Sequence, residues 1–306
     1  MTGNGELTLV PGHTRGTIIN ADLVGDEALA WLERLPTSEG QAALTPIGHS
    51  LRRTVYRASL TLNDGTCNVL VKQHRHDPSR SALTNAMCSR RAAHAARAAH
   101  VLRETGFRTF EPVAALRSPA SDGQQSSWLV LRPLQGVTLR ERLQGASPGQ
   151  RVALLRDTVH EVARLHNAKF CHGDLKPSNI LVLTDAPANT PSLGFIDLDR
   201  TRRAQGWLSL CTASCKALDI RTLVAHLRCH CDVDQALLHE LADLYFAARD
   251  FGPLRRKLWR TIVDFPHKAV TRTQRAKAKR LGQPVPTGQS RFRLLLRFFF
   301  GTHSSE

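Results

Sequence analysis

Two short segments of the sequence combine polar residues whose types and spacing suit transfer of a phosphoryl group. The first reads HGDLKPSN at positions 172–179, and the second reads FIDLDR at positions 195–200. Phosphoryl transfer needs few reacting groups, because its catalysis rests on positioning the reactants and neutralising their charge. The two segments together contain one candidate for each of these roles.

Four residues fill the roles in order along the chain. The carboxylate of Asp174 can accept the proton of an acceptor hydroxyl. Lys176 follows two residues later and provides a positive charge for the phosphoryl group. Asn179 offers an amide oxygen and Asp197 a carboxylate oxygen, which are the ligand atoms that Mg²⁺ prefers. In the alternative interpretation His172 and Asp174 belong to an ordinary surface loop, but the agreement of four residue types favours a site.

The elements around these residues predict how they are held. Ile180 to Leu183 and Leu193 to Ile196 have the pattern of short strands, and the breaker-rich segment TDAPANTPS separates them. A hairpin of this kind would bring Asn179 and Asp197 close together. A long helix is predicted from Gln150 to His166, with apolar residues along one face.

The first part of the chain has a different character. TVYRASL alternates apolar and polar residues, Asn63-Asp64-Gly65 is a strong hairpin signal, and the strand CNVLVKQHR ends near Lys72. After Gly136 the chain is mainly helical. The sequence therefore predicts an α+β fold with two lobes and a cleft between them, divided into residues 1–134, residues 135–265 and a tail of residues 266–306.

HGDLKPSN resembles the catalytic loop of protein-kinase-like enzymes, and IDLDR stands where their Asp-Phe-Gly motif would be. The resemblance implies a sheet-rich N-lobe, a helical C-lobe, and ATP and Mg²⁺ as cofactors. It implies Asp174 as the catalytic base, Lys176 as a phosphate contact, and Asn179 and Asp197 as metal ligands. Asp219 resembles the aspartate at the start of the helix that supports this loop, although an ordinary helix cap would look the same.

The resemblance extends to nucleotide binding in the first lobe. Val69-Leu70-Val71-Lys72 looks like the strand whose lysine contacts the ATP phosphates. Gly48 and Ser50 occupy the phosphate-covering position, in a loop with a single glycine. The chain departs from the pattern in the next helix, because no acidic residue lies between Asp77 and Glu104. Either Glu104 pairs with Lys72, another group does, or the ion pair is missing.

The kind of kinase is indicated by the segment between Asp197 and Asp219, which is short and contains no Ala-Pro-Glu. Protein kinases use a longer segment there to seat a peptide. Together with IDLDR, the region from Ile47 to Leu227 is similar to the bacterial lipopolysaccharide core kinases, which phosphorylate heptose or Kdo sugars at the cytoplasmic face of the inner membrane. The alternatives are a protein Ser/Thr kinase and a non-catalytic kinase-like binding protein.

The net charge of the chain is +16, and most of it lies near the end. Between Phe251 and Phe300 there are thirteen Lys or Arg residues and one acidic residue. Such a segment attracts polyanions. Because apolar residues are interleaved with it, as in FRLLLRFFF, we expect it to bind core glycolipid and the anionic inner-membrane surface, and we expect no nucleic-acid partner. A solvated basic tail is the alternative.

The location of the protein is indicated by its cysteines and its apolar runs. Seven cysteines, an odd number without a secretion signal, are typical of reduced thiols. No apolar run reaches the roughly 18–20 residues that span a bilayer. We therefore expect a cytoplasmic protein that is peripheral to the inner membrane.

Overall fold

The computed structural model describes residues 15–18, 21–50, 53–75, 90–118, 126–184, 193–203 and 209–264. The chain forms two compact units. The first unit comprises residues 1–136 together with residues 183–186 and 194–201, and the second comprises residues 137–182, 187–193 and 202–306. The basic tail of residues 266–306 lies outside the described residues.

A six-stranded antiparallel sheet is the main element of the first unit. Its strands lie in the order β1-β6-β7-β4-β3-β2. Their bounds are β1 Arg15–Ile18, β2 Thr45–Ser50, β3 Arg53–Leu62, β4 Gly65–Arg75, β6 Glu111–Ser118 and β7 Ser126–Arg132. A further short strand, β5 Arg108–Thr109, pairs in parallel with β11 Leu193–Phe195.

The hairpin of β3 and β4 confirms the turn predicted at Asn63-Asp64-Gly65. Leu62 pairs with Gly65 across the turn, and Gly65 has φ +120°, which glycine adopts without strain. Because side chains alternate along a strand, Val69 and Val71 enter the core while Lys72 lies on the other face of the sheet. The strand continues past Lys72 to Arg75.

Three helices belong to the first unit: α1 Asp26–Arg34, α2 Ser38–Ala42 and α3 Arg91–Glu104. α1 contributes Ala28 and Leu32 to the apolar core that includes Val69 and Val71. α3 packs against β6 and β7. Its buried face consists mostly of alanine, and these small side chains allow the helix backbone to approach the sheet closely. The buried residues of α3 are Ala92, Ala95, Ala96, Ala99 and Leu102.

The second unit is mainly helical, as the sequence predicts. Its helices are α4 Leu139–Gln144, α5 Pro148–Asn167, α6 Ser209–Cys231, α7 Gln235–Ala248 and α8 Pro253–Asp264, and its short strands are β8 Gly136–Thr138, β9 Phe170–Cys171, β10 Ile180–Leu183 and β12 Arg202–Arg203. Thr138 and Ser147 precede α4 and α5 as N-caps with capping boxes, which satisfy two backbone N–H groups at the start of each helix. Among the described helices, none is long and apolar enough to cross a membrane.

The position of Asp219 differs from the expectation that it lies at the start of a helix. Helix α6 begins at Ser209, ten residues before Asp219. Asp219 is therefore well inside the helix and is not an N-terminal cap. Residues 209–214 have few large apolar side chains, so the apolar spacing that marks a buried helix is recognisable only farther along.

Candidate active site

The loop that carries Asp174 is held at both ends by short regular elements of the second unit. It begins after β9, passes through a 3-10 turn at Pro177–Asn179 and continues directly into β10. Gly173 has φ +79°, a left-handed conformation that most other residues adopt only with strain. The glycine at position 173 therefore lets the loop backbone adopt this conformation without strain.

Asp219 of α6 holds the loop through two backbone hydrogen bonds. The N–H of His172 donates to Asp219 Oδ2 at 2.6 Å, and the N–H of Gly173 donates to Oδ1 at 2.8 Å. Asp219 is only 1% exposed, and its bond to His172 is buried while its bond to Gly173 is partly buried. Charge-assisted hydrogen bonds to a buried carboxylate are among the stronger polar interactions in a protein. Asp219 therefore supports the loop from α6, as the resemblance implies.

A buried polar network extends from Asp219 to α5 and α7. The Nε2–H of His166 donates to Asp219 Oδ2 at 3.3 Å, and the hydroxyl of Tyr245 donates to His166 Nδ1 at 2.6 Å. Lys216 donates from Nζ to the carbonyl of His166 at 2.7 Å. Burial lowers the pKa of His166 despite the opposing effect of Asp219, so the ring is neutral at pH 7. A neutral ring has one donor and one acceptor nitrogen, as this network requires.

The three loop residues predicted from the sequence lie together. Lys176 Nζ is 2.9 Å from Asp174 Oδ2, and both side chains remain about one-third exposed. Asn179 donates from Nδ2 to the carbonyl of Asp174 at 2.9 Å and to its Oδ2 at 3.3 Å. Because its Nδ2 is engaged with Asp174, the amide oxygen of Asn179 is the atom suited to a metal. The carboxylate of Asp174 is thus oriented by two neighbours.

Asp197 lies in the first unit, directly after β11. Its backbone is left-handed, with φ 63° and ψ 53°, and a 3-10 turn at Leu198–Arg200 follows it. The strand before it is anchored by Thr109, whose hydroxyl donates to the carbonyl of Phe195 at 2.7 Å. Aspartate tolerates the left-handed region better than most residues. The turn therefore directs the Asp197 side chain with little strain.

Two cations contact the same carboxylate oxygen of Asp197. Arg53 Nη1 lies 2.9 Å from Oδ1 and Lys72 Nζ lies 3.2 Å from it. Burial opposes ionisation of this carboxyl, but Lys72 and Arg53 outweigh it and hold the pKa of Asp197 well below its ordinary value. Asp197 is therefore ionised at neutral pH, as a metal ligand must be. Sequence reasoning identified Lys72 and Asp197 but did not recognise Arg53 as their neighbour.

Helix α3 has no glutamate for Lys72, so Lys72 and α3 each have a different partner. Lys72 pairs with Asp197, while Glu104 lies beside His100, with Oε1 3.3 Å from Nε2. Of the three alternatives for Lys72, the structure shows the second, in which another group pairs with it. Helix α3 is joined to the segment after Asp197 by His94, whose Nε2–H donates to the carbonyl of Thr201 at 2.6 Å.

A second acid of the FIDLDR segment faces β4. Asp199 Oδ2 lies 3.7 Å from Nε2 of His74, a buried residue two positions beyond Lys72. Burial lowers the pKa of His74, and the negative charge of Asp199 opposes this effect. Strand β4 and the segment after β11 are thus in contact at two pairs of residues, Lys72 with Asp197 and His74 with Asp199.

Gly48 and Ser50 lie on β2, beside the start of β3. The pairing of β2 and β3 shifts register between Pro46 and Gly48, and Ser50 pairs with Arg53. A Cβ atom on Gly48 would meet only Val55 at 4.0 Å, so packing does not require glycine there. The side chain of Ser50 and residues 51–52 lie outside the described part of the chain. The role of Gly48 and Ser50 in covering the phosphates stays a prediction.

The donor set fits the metal that the resemblance implies. Asn179 offers an amide oxygen and Asp197 a carboxylate that is ionised at neutral pH. Mg²⁺ prefers oxygen ligands and is commonly held by one or two side chains together with substrate phosphates. Within the described ranges, no three His, Cys, Asp or Glu side chains form a metal-binding group. The assignment of Asn179 and Asp197 as metal ligands therefore stays a prediction from their residue types.

The class of protein follows from the fold and from these residues. The structure is similar to that of WaaP in complex with acyl carrier protein, with a TM-score of 0.51, 21% identity, and coverage of 82% of this chain and 96% of that chain. At this identity the similarity shows the fold. The chain has a protein-kinase-like α+β fold, with a sheet-rich N-terminal part and a helical C-terminal part.

The family follows from the sequence as well. Residues 48–207, more than half of the chain, match the lipopolysaccharide kinase (Kdo/WaaP) family. The chain belongs to this family, which confirms the resemblance drawn from HGDLKPSN and IDLDR. The matched region contains Lys72, Asp174, Lys176, Asn179 and Asp197.

Part of the chain is also similar in sequence to a curated protein. The chain is 30% identical over 78 residues to the KEOPS complex subunit Bud32 of Pyrococcus abyssi (strain GE5 / Orsay). The match covers 26% of this chain and 35% of the relative, so the chain spans about one-third of the length of that protein.

Proposed function

We propose that this protein transfers the γ-phosphoryl group of ATP to a sugar hydroxyl of the lipopolysaccharide inner core. The observation that carries the proposal is the geometry of the catalytic loop. Asp174 is oriented by Lys176 and Asn179, and the loop itself is fixed to α6 by Asp219. An oriented carboxylate beside a lysine is what alcohol phosphorylation requires.

Each residue has a distinct role in this reaction. Asp174 orients the acceptor hydroxyl and takes its proton as the oxygen attacks the γ-phosphorus, and ADP leaves. Lys176, 2.9 Å from Asp174, stabilises the charge of the transferring group. Lys72 binds the nucleotide phosphates, and Gly48 and Ser50 cover them. Asn179 and Asp197 hold Mg²⁺, which when bound neutralises phosphate charge.

A sugar acceptor agrees better with the chain than a peptide does. β12 ends at Arg203 and α6 begins at Ser209, so five residues separate them. That interval is too short for the extended segment on which protein kinases seat a peptide. The family to which the chain belongs also favours a core sugar.

We place the reaction at the cytoplasmic face of the inner membrane, where the protein would bind peripherally. Support comes from the thirteen Lys or Arg residues between Phe251 and Phe300, which would attract anionic lipid and phosphorylated glycolipid. The exposed residues Arg255, Arg256, Lys257 and Arg260 of α8 begin this segment. In this proposal the division into residues 1–134, 135–265 and 266–306 gives a nucleotide-covering part, a catalytic part and a membrane-binding tail.

The test is transfer of labelled γ-phosphate from ATP to core glycolipids of defined structure. We expect label in a glycolipid with a free core hydroxyl and none in the same glycolipid already phosphorylated there. Robust labelling of protein substrates without labelling of glycolipid would reject the sugar acceptor and favour a protein Ser/Thr kinase. Absence of turnover with either acceptor would favour a non-catalytic kinase-like binding protein.

A further inference from the structure

Arg53 is a charged residue that lies beside Asp197. The resemblance to kinases assigns no role to Arg53. Its guanidinium and the Lys72 ammonium both contact Asp197 Oδ1, at 2.9 and 3.2 Å. One carboxylate oxygen therefore receives two cations. The side chain of Lys72 is 13% exposed and that of Arg53 is 39% exposed, so Arg53 is the more accessible of the two to an incoming ligand.

The strand register explains why the two cations lie together. Arg53 pairs with His74 across β3 and β4, and Lys72 lies two residues before His74. Residues that pair directly project from the same face, and so do residues two apart on one strand. Arg53 and Lys72 are thus diagonal neighbours on one face, within reach of long side chains. Their proximity is a property of the sheet and does not depend on Asp197.

The segment from Gly48 to Arg53 differs from a glycine-rich phosphate-binding loop, and this difference suits an arginine at position 53. In a glycine-rich loop, backbone N–H groups can approach phosphates closely. The segment from Gly48 to Arg53 has a single glycine, and packing does not require it. A guanidinium provides up to five N–H donors in a planar fork that matches phosphate oxygens. Arg53, at the first position of β3 and opposite Ser50, can supply side-chain donors at this position.

We propose that Arg53 binds the polyphosphate of the nucleotide, as a second phosphate-binding cation beside Lys72. This inference rests on the proposed function, since it assumes an ATP site. Asp197 would offer its carboxylate to the metal, and the nucleotide phosphates would then provide negative charge for Arg53 and Lys72.

The test measures how the loss of affinity in Arg53→Ala depends on the number of phosphates. Dissociation constants are determined by calorimetry for ATP and ADP with magnesium, and for AMP and adenosine, at fixed ionic strength. A charge-assisted contact of this kind predicts about tenfold or greater weakening for ATP and ADP, with unchanged affinity for adenosine. Arg53→Lys keeps the positive charge but loses the planar set of N–H donors. Its affinity for ATP should therefore lie between those of Arg53→Ala and the wild type.

Arg57→Ala is the matched control, because Arg57 is an exposed arginine on the same strand, four residues farther along. It removes the same charge and should leave all four affinities unchanged. Equal weakening of adenosine and ATP by Arg53→Ala would show a structural role, and unchanged ATP affinity would show no role. Either result would overturn the assignment. Wild-type protein that bound neither ATP nor ADP would contradict the proposed function itself, and Arg53 with it.

Discussion

Asp219 accepts the backbone N–H of His172 at 2.6 Å, which ties the middle of α6 to the start of the catalytic loop. The same carboxylate accepts the N–H of Gly173 at 2.8 Å. Two residues of the loop backbone are thus fixed immediately before Asp174. A catalytic group is effective when its supporting elements are rigid, and this contact provides that rigidity.

We therefore expect Asp219→Ala to lower both turnover and stability. It leaves the buried N–H of His172 and the partly buried N–H of Gly173 without their acceptor, and a buried unpaired group costs about 1–3 kcal/mol. Asp219→Asn, which can accept only one of the two bonds, should have an intermediate effect. Chemical denaturation and steady-state kinetics measure the two quantities. Wild-type turnover in Asp219→Ala would show that the loop does not depend on this contact.

Asp197→Asn should weaken binding of the magnesium–nucleotide complex. The amide is neutral, so it binds a divalent cation less well and no longer balances the positive charges of Lys72 and Arg53. We expect at least about a tenfold increase in the dissociation constant of Mg–ADP, measured by calorimetry. Asp250→Asn is the control, because Asp250 also has a left-handed backbone, with φ 49°, and is exposed. Equal affinities in Asp197→Asn and the wild type would contradict the role of Asp197.

The packing around Gly194 predicts a destabilising effect of a single added methyl group. A Cβ atom there would lie 2.6 Å from Leu134 Cδ1 and 3.2 Å from the carbonyl of Arg108. Gly194→Ala should therefore destabilise the fold by about 1–3 kcal/mol and displace the segment that carries Asp197. Gly149→Ala is the control, since nothing lies within 4 Å and the residue is in the first turn of α5. A denaturation midpoint unchanged in Gly194→Ala would contradict this packing.

Acidification should destabilise the protein below about pH 6.5. Burial lowers the pKa of His166 from its ordinary value of 6.5, despite the opposing hydrogen bond to Asp219. Below pH 6.5 the unfolded state binds a proton that the folded state does not, so the free energy of unfolding falls by up to about 1.4 kcal/mol per pH unit. His74 and His226 have pKa values shifted in the same direction, mainly by burial.

The variant His166→Gln separates this effect from general acid denaturation. It should reduce the slope of unfolding free energy against pH between about pH 6.5 and 5, whatever its effect on absolute stability. His160→Gln is the control, because His160 is exposed on the same helix. A slope identical to that of the wild type in His166→Gln would show that His166 does not remain neutral in the folded state.

Much of the fold was predictable because its local signals agree with one another. The turn at Asn63-Asp64-Gly65 and the strand Ile180 to Leu183 are found where the sequence places them. Helix α5 begins at Pro148, two residues before the predicted Gln150, and ends at Asn167, one residue after the predicted His166. Such segments have one dominant periodicity and clear end signals, so neighbouring elements do not alter their assignment.

The contacts of the candidate site were less predictable, because they depend on strand register. Asp174, Lys176, Asn179 and Asp197 are recognisable from their order alone. That Arg53 lies beside Lys72 follows from the pairing of Arg53 with His74, which the sequence does not specify. The contact of His94 with Thr201 joins residues 107 positions apart, and no local pattern indicates it.

The central claim, that Asp174 is the base of a phosphotransferase, is tested most directly by comparing Asp174→Asn with the wild type. Phosphoryl transfer from ATP to core glycolipid should fall by about 10²–10⁴-fold in Asp174→Asn, while affinity for Mg–ADP stays within about twofold of the wild type. Asp250→Asn should match the wild type in both measurements. Transfer by Asp174→Asn at the wild-type rate would contradict the claim.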